Sequence, residues 1–322
     1  MKDADSRRII VHVTTSRNLN STARELVLEA SDGAQLPAYE AGAHIDIHLP
    51  GIGARQYSLV RPFQAGEPYV VAVQREDAGR GGSRWIHQHL RVGETLEVSA
   101  PRNHFPLRPA PRTLLVAGGI GITPLFCMAQ TCERDGRPYH LVVCSRSEES
   151  LVYYEDLLGP RRHGRVQFVL DGGDPARRLD IPALLHAQPP GTHVYCCGPS
   201  GLMAAVREAG RSCEGLCLHF EAFGADPRAT DGADDGAFTV DCRASGLTLE
   251  IGPGESILDR LIAAGLDVDH SCREGYCGTC ATRWLAGTPV HRDTCLGAPE
   301  RDRYVAICTA RAAPGAPLVL DL

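Results

Sequence analysis

Cys272-Arg273-Glu274-Gly275-Tyr276-Cys277-Gly278-Thr279-Cys280 is the stretch on which the reading of this chain turns. Its cysteines are spaced C-x4-C-x2-C, and Cys308 follows after 27 intervening residues. That is the plant-type ligand spacing for a 2Fe–2S cluster. Two irons need four thiolates, and three of them on one tight loop can wrap the cluster. Gly275 and Gly278 suit the loop, because backbone close to sulfide must bend through conformations that a Cβ blocks. N–H groups freed by the bend can then point at sulfur and tune the potential.

Zinc is the competing metal. Structural zinc sites usually pair one C-x2-C with a second such knuckle, and only one is present here. Cys295 competes with Cys308 as fourth ligand. Cys308 is preferred because Tyr304-Val305-Ala306-Ile307-Cys308 reads as an apolar strand that would hold a ligand rigidly. Cys295 follows the polar His291-Arg292-Asp293 and reads as loop.

Working outward, 322 residues with 43% apolar content predict two or three domains with ordinary cores. A net charge of −6 argues against a nucleic-acid footprint. No apolar run approaches the length of a membrane span. Met1-Lys2-Asp3-Ala4-Asp5 lacks a hydrophobic signal region, so a cytoplasmic protein is expected. In that reducing compartment the 13 cysteines read as cofactor ligands and buried thiols rather than disulfides. Cys127, Cys144, Cys196, Cys213, Cys217 and Cys242 read as inert core.

The expected organisation is an antiparallel β-barrel over 1–108, an α/β parallel-sheet domain over 109–225, a linker over 226–236 and an α+β, β-grasp-like ferredoxin module over 237–322. In the first segment, Ala43 to Leu49 alternates, with Ala43, Ile45, Ile47 and Leu49 on one face and His44, Asp46 and His48 on the other. The polar face reads as solvated surface in preference to a two-histidine metal site. Arg55-Gln56-Tyr57-Ser58 suits a flavin: arginine for phosphate, tyrosine against the ring system, serine near N5. Gly79-Arg80-Gly81-Gly82-Ser83 leads into a short helix with Ser83 as its N-cap, a pattern that serves equally as an anion site and as an ordinary glycine loop before a capped helix.

From residue 109 strands and helices alternate, which predicts a parallel sheet covered on both faces. Gly118-Gly119-Ile120-Gly121-Ile122-Thr123-Pro124 lies between a strand and a helix and suits a dinucleotide pyrophosphate, although it is not G-x-G-x-x-G. Cys196-Cys197-Gly198-Pro199-Ser200 ends another strand and faces the same crevice. Cys197 reads as a small residue beside a nicotinamide, in preference to a redox thiol activated by a helix N-terminus. Glu221-Ala222-Phe223-Gly224 offers Phe223 to a flavin. Residues 226–236 carry almost no large apolar side chains. In the last segment Ile257, Leu258, Leu261 and Ile262 give a helix one apolar face, and Gly265 ends it.

These motifs, in this order, resemble those of the phthalate dioxygenase reductase family, and the resemblance covers nearly the whole chain. It implies a single-chain, NADH-dependent reductase of a Rieske oxygenase system, and the C-terminal position of the ferredoxin module is similar to the FMN branch of such reductases. It implies hydride transfer to flavin N5, then single-electron transfer to the cluster and on to a terminal oxygenase. By the resemblance, Arg55, Tyr57 and Ser58 match the flavin strand, with Gln56 where threonine is frequent. Ala72, Val73 and Gln74 match the strand beside the ring, with glutamine where some members carry lysine. Gly81, Gly82 and Ser83 match the FMN phosphate loop. Gly118, Gly119 and Thr123, with Cys197, Gly198 and Pro199, match the nicotinamide crevice, and Asp171 the adenosine side. Ser58, Thr123, Cys197 and Phe223 would lie near the reacting rings. Cys272, Cys277, Cys280 and Cys308 match the cluster ligands. Arg146, where a 2′-phosphate would lie, also occurs in NADH-using members, so NADH is expected. The alternatives are a reductase for a haem-thiolate oxygenase, an electron-transfer subunit of a larger dehydrogenase, and a non-catalytic iron–sulfur sensor. The intact glycines and Arg55-x-Tyr57-Ser58 argue against the sensor.

Overall fold

A computed structural model of the chain describes residues 8–224, 236–270, 272–313 and 317–322. Apart from Gly236, the expected linker over 226–236 lies outside the described residues. The chain divides into two compact units, residues 1–221 and 222–322.

The first unit opens with six antiparallel strands: β1 (Ile9–Asn18), β2 (Ala23–Ala30), β3 (His44–Leu49), β4 (Gly53–Ser58), β5 (Tyr69–Gln74) and β6 (Thr95–Val98), with helix α1 (Gly82–His89) between the last two. Their order is β4-β3-β6-β1-β2-β5. The continuation of β4 closes the sheet on itself: Leu59 bridges Val71, and Val60 N–H donates to the Val70 carbonyl at 3.0 Å. Closure removes the free edges that an open sheet exposes. Ile45, Ile47, Leu26, Leu28, Val71 and Val98 fill the interior with the alternation read from the sequence. The opposite face of β3 is not solvated as expected. His44 and Asp46 are both buried. Asp46 pairs with the Arg102 guanidinium at 2.7 Å and accepts from Gln56 Nε2 at 2.9 Å, so a buried charge is compensated where exposure was predicted. Burial, with Arg102 and His104 close by, pushes His44 down to about 3 and keeps it neutral.

Five parallel strands follow: β7 (Arg112–Gly118), β8 (Tyr139–Ser145), β9 (Gly164–Leu170), β10 (Thr192–Cys197) and β11 (Cys217–Glu221). They are covered by α2 (Ile122–Arg134), α3 (Tyr154–Leu157), α4 (Ile181–His186) and α5 (Ser200–Gly210). Strand β7 sends Leu115 and Ala117 to the α2 side, and Leu114 and Val116 to the side of α4 and α5. Burial on both faces explains why these strands are continuous apolar runs. The order is β11-β10-β7-β8-β9, so the winding reverses between β7 and β10. The outer wall of the barrel (Ala23, Val60, Val70, Ala72, Phe105) shares one core with α2, which makes the two sheets a single unit. Cys217, expected in the core, is exposed on edge strand β11.

The second unit contains β12 (Phe238–Cys242), β13 (Leu247–Ile251), α6 (Ile257–Ala263), β14 (Ala281–Ala286), β15 (Pro289–Val290), α7 (Ala298–Arg301), β16 (Tyr304–Ala306), β17 (Arg311–Ala312) and β18 (Leu318–Leu320). The main sheet has the order β13-β12-β18-β14-β16, and β15 pairs with β17 in a separate ribbon. Parallel pairing of β12 with β18 places the terminal strand at the sheet centre, and α6 packs against it. Ile257, Leu258 and Leu261 are fully buried, whereas Ile262 is 36% exposed and lies outside the apolar face assigned to it.

Candidate cofactor sites

Strand β4 carries Arg55, Gln56, Tyr57 and Ser58 in succession, and pairing with β3 fixes which way each faces. The Arg55 guanidinium donates to the carbonyls of Ala54 at 2.7 Å and Arg80 at 3.0 Å. It therefore lies across the Gly79–Ser83 loop, and a Cβ on Gly82 would come within 2.7 Å of Arg55 Cγ. An arginine fork and the start of α1 thus meet at one place, which suits a phosphate monoester. Ser83 is not the N-cap predicted for it. Gly81, at φ 84°, holds that position, and Ser83 Oγ instead accepts from Glu76 N–H at 3.0 Å. The hydroxyl ties the loop back to the end of β5. His87 Nε2 contacts the Val73 carbonyl at 2.9 Å and binds α1 to the same strand.

Ser58 Oγ is buried and has no hydrogen-bond partner among the described residues. A buried hydroxyl without a partner costs about 1–3 kcal/mol, so it marks a place where a ligand atom would be welcome. Burial raises the Tyr57 phenol, with Arg55 and Arg80 opposing, so the ring sits in an apolar setting. These residues fit FMN: a cationic fork, a glycine loop, an aromatic ring and an unpaired hydroxyl converge along one strand and its neighbour. Ala72 and Val73 are buried in β5, and Gln74 at its end reaches a cavity of about 650 Å³.

That cavity lies at the carboxyl ends of the parallel strands, where the winding reverses, as expected of a dinucleotide crevice. Its walls include Gln74 from the barrel, Gly118 at the end of β7 with Gly119 after it, Asp171 after β9, and Pro199 after β10. The two glycine turns lie back to back. A Cβ on Gly118 would meet Pro199 at 2.7 Å, and one on Gly198, at φ 155°, would meet Gly118 backbone at 2.9 Å. Thr123 is buried and its hydroxyl donates to the Ile120 carbonyl at 3.0 Å, bracing the turn. Asp171 accepts from Gly173 N–H at 2.7 Å and pairs with Arg178 at 3.7 Å, beside Arg146.

Cys197 is buried, and burial pushes its thiol well up, with Glu221 and Cys196 adding to the effect. It therefore stays protonated, and the helix N-terminus creates no thiolate. Glu221 itself was not recognised from the sequence. It ends β11 opposite Cys197, its Oε2 is buried without a partner among the described residues, and burial raises it to about 8. A glutamate among charged and apolar neighbours carries no local signal for this. Only the cross-strand register exposes it. The raised value has a consequence for stability. Between the ordinary value of 4.5 and about 8 the folded chain holds a proton that the unfolded chain has released. Stability attributable to Glu221 therefore falls as pH rises through that window and levels off above it. Thermal unfolding of Glu221→Gln should lose this slope, and an identical slope in both proteins would contradict the assignment. Phe223 lies in the second unit with 41% of its surface exposed.

In the second unit the cysteine loop packs beneath Cys308. Cys272, Cys277, Cys280 and Cys308 are all buried. Cys272 is in hydrogen-bonding contact with both Cys277 and Cys308, and Cys308 with Cys280. Gly275 and Gly278 take φ of 75° and 73°, as the spacing predicted, and Arg273 joins them at 59°. The Arg273 side chain pairs with Asp259 of α6 at 3.2 Å, anchoring this strained residue. The bent loop directs N–H groups at sulfur: Cys272 to Cys277 at 3.4 Å, Glu274 to Cys272 at 3.3 Å, and Gly275 to Cys308. The Cys272 bond pulls Cys308 down, but Cys280 and burial leave it raised, at about 12. Protonated thiols crowded together with N–H donors aimed at them fit metal ligands that lose protons on binding iron. Cys308 lies in a turn just past β16 rather than within a strand. Cys295 is half-buried close by, with Asp293 at 3.9 Å as its hydrogen-bond partner.

Among the described residues these sites supply anion-binding, stacking and thiol groups rather than a paired nucleophile and base. That chemistry defines an electron-transfer oxidoreductase using a pyridine nucleotide and iron–sulfur. Residues 115–208 match the family described as oxidoreductase NAD-binding domain, and residues 239–313 the 2Fe-2S iron-sulfur cluster binding domain. The chain is 42% identical to a vanillate O-demethylase oxidoreductase of Pseudomonas sp. (strain HR199 / DSM 7063), over 91% of this chain and 93% of that protein. It superposes on the solved structure of phthalate dioxygenase reductase, described as modular for electron transfer from pyridine nucleotides to 2Fe-2S, with a TM-score of 0.72 and 36% identity over 98% of each chain. It also superposes on an intact type IV self-sufficient cytochrome P450 monooxygenase, with a TM-score of 0.86 and 36% identity. There it covers 98% of its own length but only 41% of the other chain. The chain belongs to the phthalate dioxygenase reductase family.

Proposed function

We propose that this protein takes electrons from NADH, passes them through FMN to a 2Fe–2S cluster held by Cys272, Cys277, Cys280 and Cys308, and delivers them to a Rieske-type oxygenase or demethylase. The observation that carries the reading is the crevice in the first unit where Gln74, at the end of β5, meets the two glycine turns. When bound, flavin and cluster together convert a hydride, a two-electron donor, into single electrons. The chain's own residues bind and orient. Arg55, Gly81 and Gly82 hold the phosphate, with Ser83 fixing their loop. Tyr57 packs against the ring system and Ser58 donates towards its reactive edge, while Gln56 holds the strand through Asp46. Ala72, Val73 and Gln74 form the adjoining wall. Gly118, Gly119, Gly198 and Pro199 let the nucleotide backbone approach closely. Thr123 and Cys197 shape the nicotinamide end, and Asp171 the adenosine end.

Three domains, 1–108 for flavin, 109–225 for nucleotide and 237–322 for the ferredoxin, are the corresponding division of labour. No helix among the described residues is long and apolar enough to cross a membrane. Likeness to part of a self-sufficient P450 monooxygenase favours one second reading, in which the acceptor is a haem-thiolate oxygenase.

The test is the visible spectrum of the purified protein, with its released flavin identified by chromatography, before and after anaerobic NADH. FMN with an iron–sulfur band, both bleaching, supports the reading. A cluster without flavin, unmoved by NADH, overturns it in favour of a sensor. Mixing the reduced protein with a Rieske oxygenase or a P450 separates the two acceptors by which one is reduced. Ser58→Ala should slow flavin reduction by about tenfold, the loss of one hydrogen bond near 1.4 kcal/mol, in anaerobic stopped flow. An unchanged rate would remove Ser58 from the reacting edge.

A further inference from the structure

Three residues beyond Ser58, the flavin strand runs into helix α2, the helix that opens at the nucleotide-binding turn. Gln130 Nε2 of α2 donates to the Val60 carbonyl at 2.9 Å, and Cys127 Sγ to the Arg61 carbonyl at 3.1 Å. The same rigid rod therefore grips the flavin strand at its middle and presents Thr123 and the glycine turn at its start.

The Arg61 side chain closes this junction. Its guanidinium lies 5.5 Å from the Phe126 ring centroid and 5.8 Å from that of Tyr153, two rings stacked at 4.5 Å and 16°. It also meets Glu25 of the barrel at 3.6 Å and Asp156 of α3 at 3.7 Å, and contacts Gln130 at 3.4 Å. Glu25 is buried at 6% exposure, and its charge is shared between Arg17 at 3.0 Å and Arg61 at 3.6 Å. Tyr153 sits at φ 61°, a left-handed conformation that a tyrosine adopts only when its surroundings enforce it. Strained backbone, a stacked ring pair and a buried ion pair converge on one guanidinium between the barrel and the parallel sheet.

We propose that Arg61 is a positioning residue for hydride transfer: by tying the flavin strand to α2 and to Tyr153, it sets the spacing between flavin and nicotinamide. Arg61 touches neither cofactor site directly. Its influence runs through Val60 to Ser58 on one side and through α2 to Thr123 on the other. The two rings react only when held close and aligned, and a shift of about 1 Å can cost on the order of 100-fold in rate. Lysine keeps the charge but loses the flat face that stacks on the rings.

This inference rests on the NADH-to-flavin reading, so wild-type protein is the first arm. Failure of NADH to reduce its flavin would sink that reading and not the role of Arg61. The second arm is Arg61→Met in anaerobic stopped flow, with flavin and iron content measured alongside. The expected result is full flavin and iron, NADH affinity within about threefold, a limiting rate of flavin reduction lowered about tenfold or more, and a weakened long-wavelength charge-transfer band. Arg61→Lys should recover part of the rate. Asp156→Asn, which loosens one side of the guanidinium at a partly exposed position, should give an intermediate rate, and it decides the matter if Arg61→Met does not fold. An unchanged limiting rate and band would overturn the proposal. So would flavin loss in proportion to rate loss with no recovery by lysine, because that pattern reports scaffold stability alone.

Discussion

Cys308→Ser is expected to abolish the iron–sulfur spectrum and to lower NADH-dependent reduction of cytochrome c by on the order of 100-fold or more. Reduction of ferricyanide, which can draw electrons from flavin directly, should survive. The size of the effect follows from the packing. Cys308 touches two of the other three thiols and receives the Gly275 N–H, so it completes the set from a segment separate from the cysteine loop. A hydroxyl there offers a poor iron ligand and leaves the remaining buried thiols to bind one another's protons. Cys295→Ser is the paired control and should keep its cluster. Cys295 is hydrogen-bonded to the Asp293 carboxylate, whereas Cys308 bonds to the thiols of Cys272 and Cys280. Iron analysis with electron paramagnetic resonance of the reduced proteins reads both outcomes. A cluster retained in Cys308→Ser and lost in Cys295→Ser would reverse the ligand assignment.

Arg55→Ala is expected to weaken FMN binding roughly 10- to 100-fold, the value of one or two hydrogen bonds to a charged group. Flavin fluorescence should rise on dilution of the variant and not of the wild type, while the iron–sulfur band remains. The guanidinium already leans on the Arg80 carbonyl and over Gly82, so it is held ready for an anion at the start of α1. Pre-organisation of that kind lowers the cost of binding. Lysine should restore only part of the affinity, because it cannot offer two parallel donors. Full retention of flavin through gel filtration of Arg55→Ala would remove Arg55 from the phosphate site.

Local chemistry made much of this legible. The cysteine spacing named the metal centre because four thiolates around two irons leave few loop lengths open. The glycine turns were legible because only glycine tolerates the contacts now seen between Gly118, Gly198 and Pro199. Alternation in β3 correctly placed Ile45 and Ile47 inside, but the same period misplaced His44 and Asp46. A period of two separates faces and cannot say that both will be covered. Ser83 misled for a related reason: a serine before a helix is a good cap, yet its hydroxyl was claimed by Glu76 from the neighbouring segment.

What the sequence determined by itself was the kind of chemistry, a pyridine nucleotide and an iron–sulfur centre, and their order along the chain. These choices rest on short-range rules of ligand spacing, turn geometry and periodicity. What only the tertiary structure decided was which distant groups meet. Glu221 opposite Cys197, Asp46 between Gln56 and Arg102, and Arg61 held by Glu25, Asp156 and Tyr153 all join residues far apart in sequence. Each depends on strand register or on two sheets sharing a core. The energies involved, desolvation and paired buried charge, exist only once the chain has closed around them.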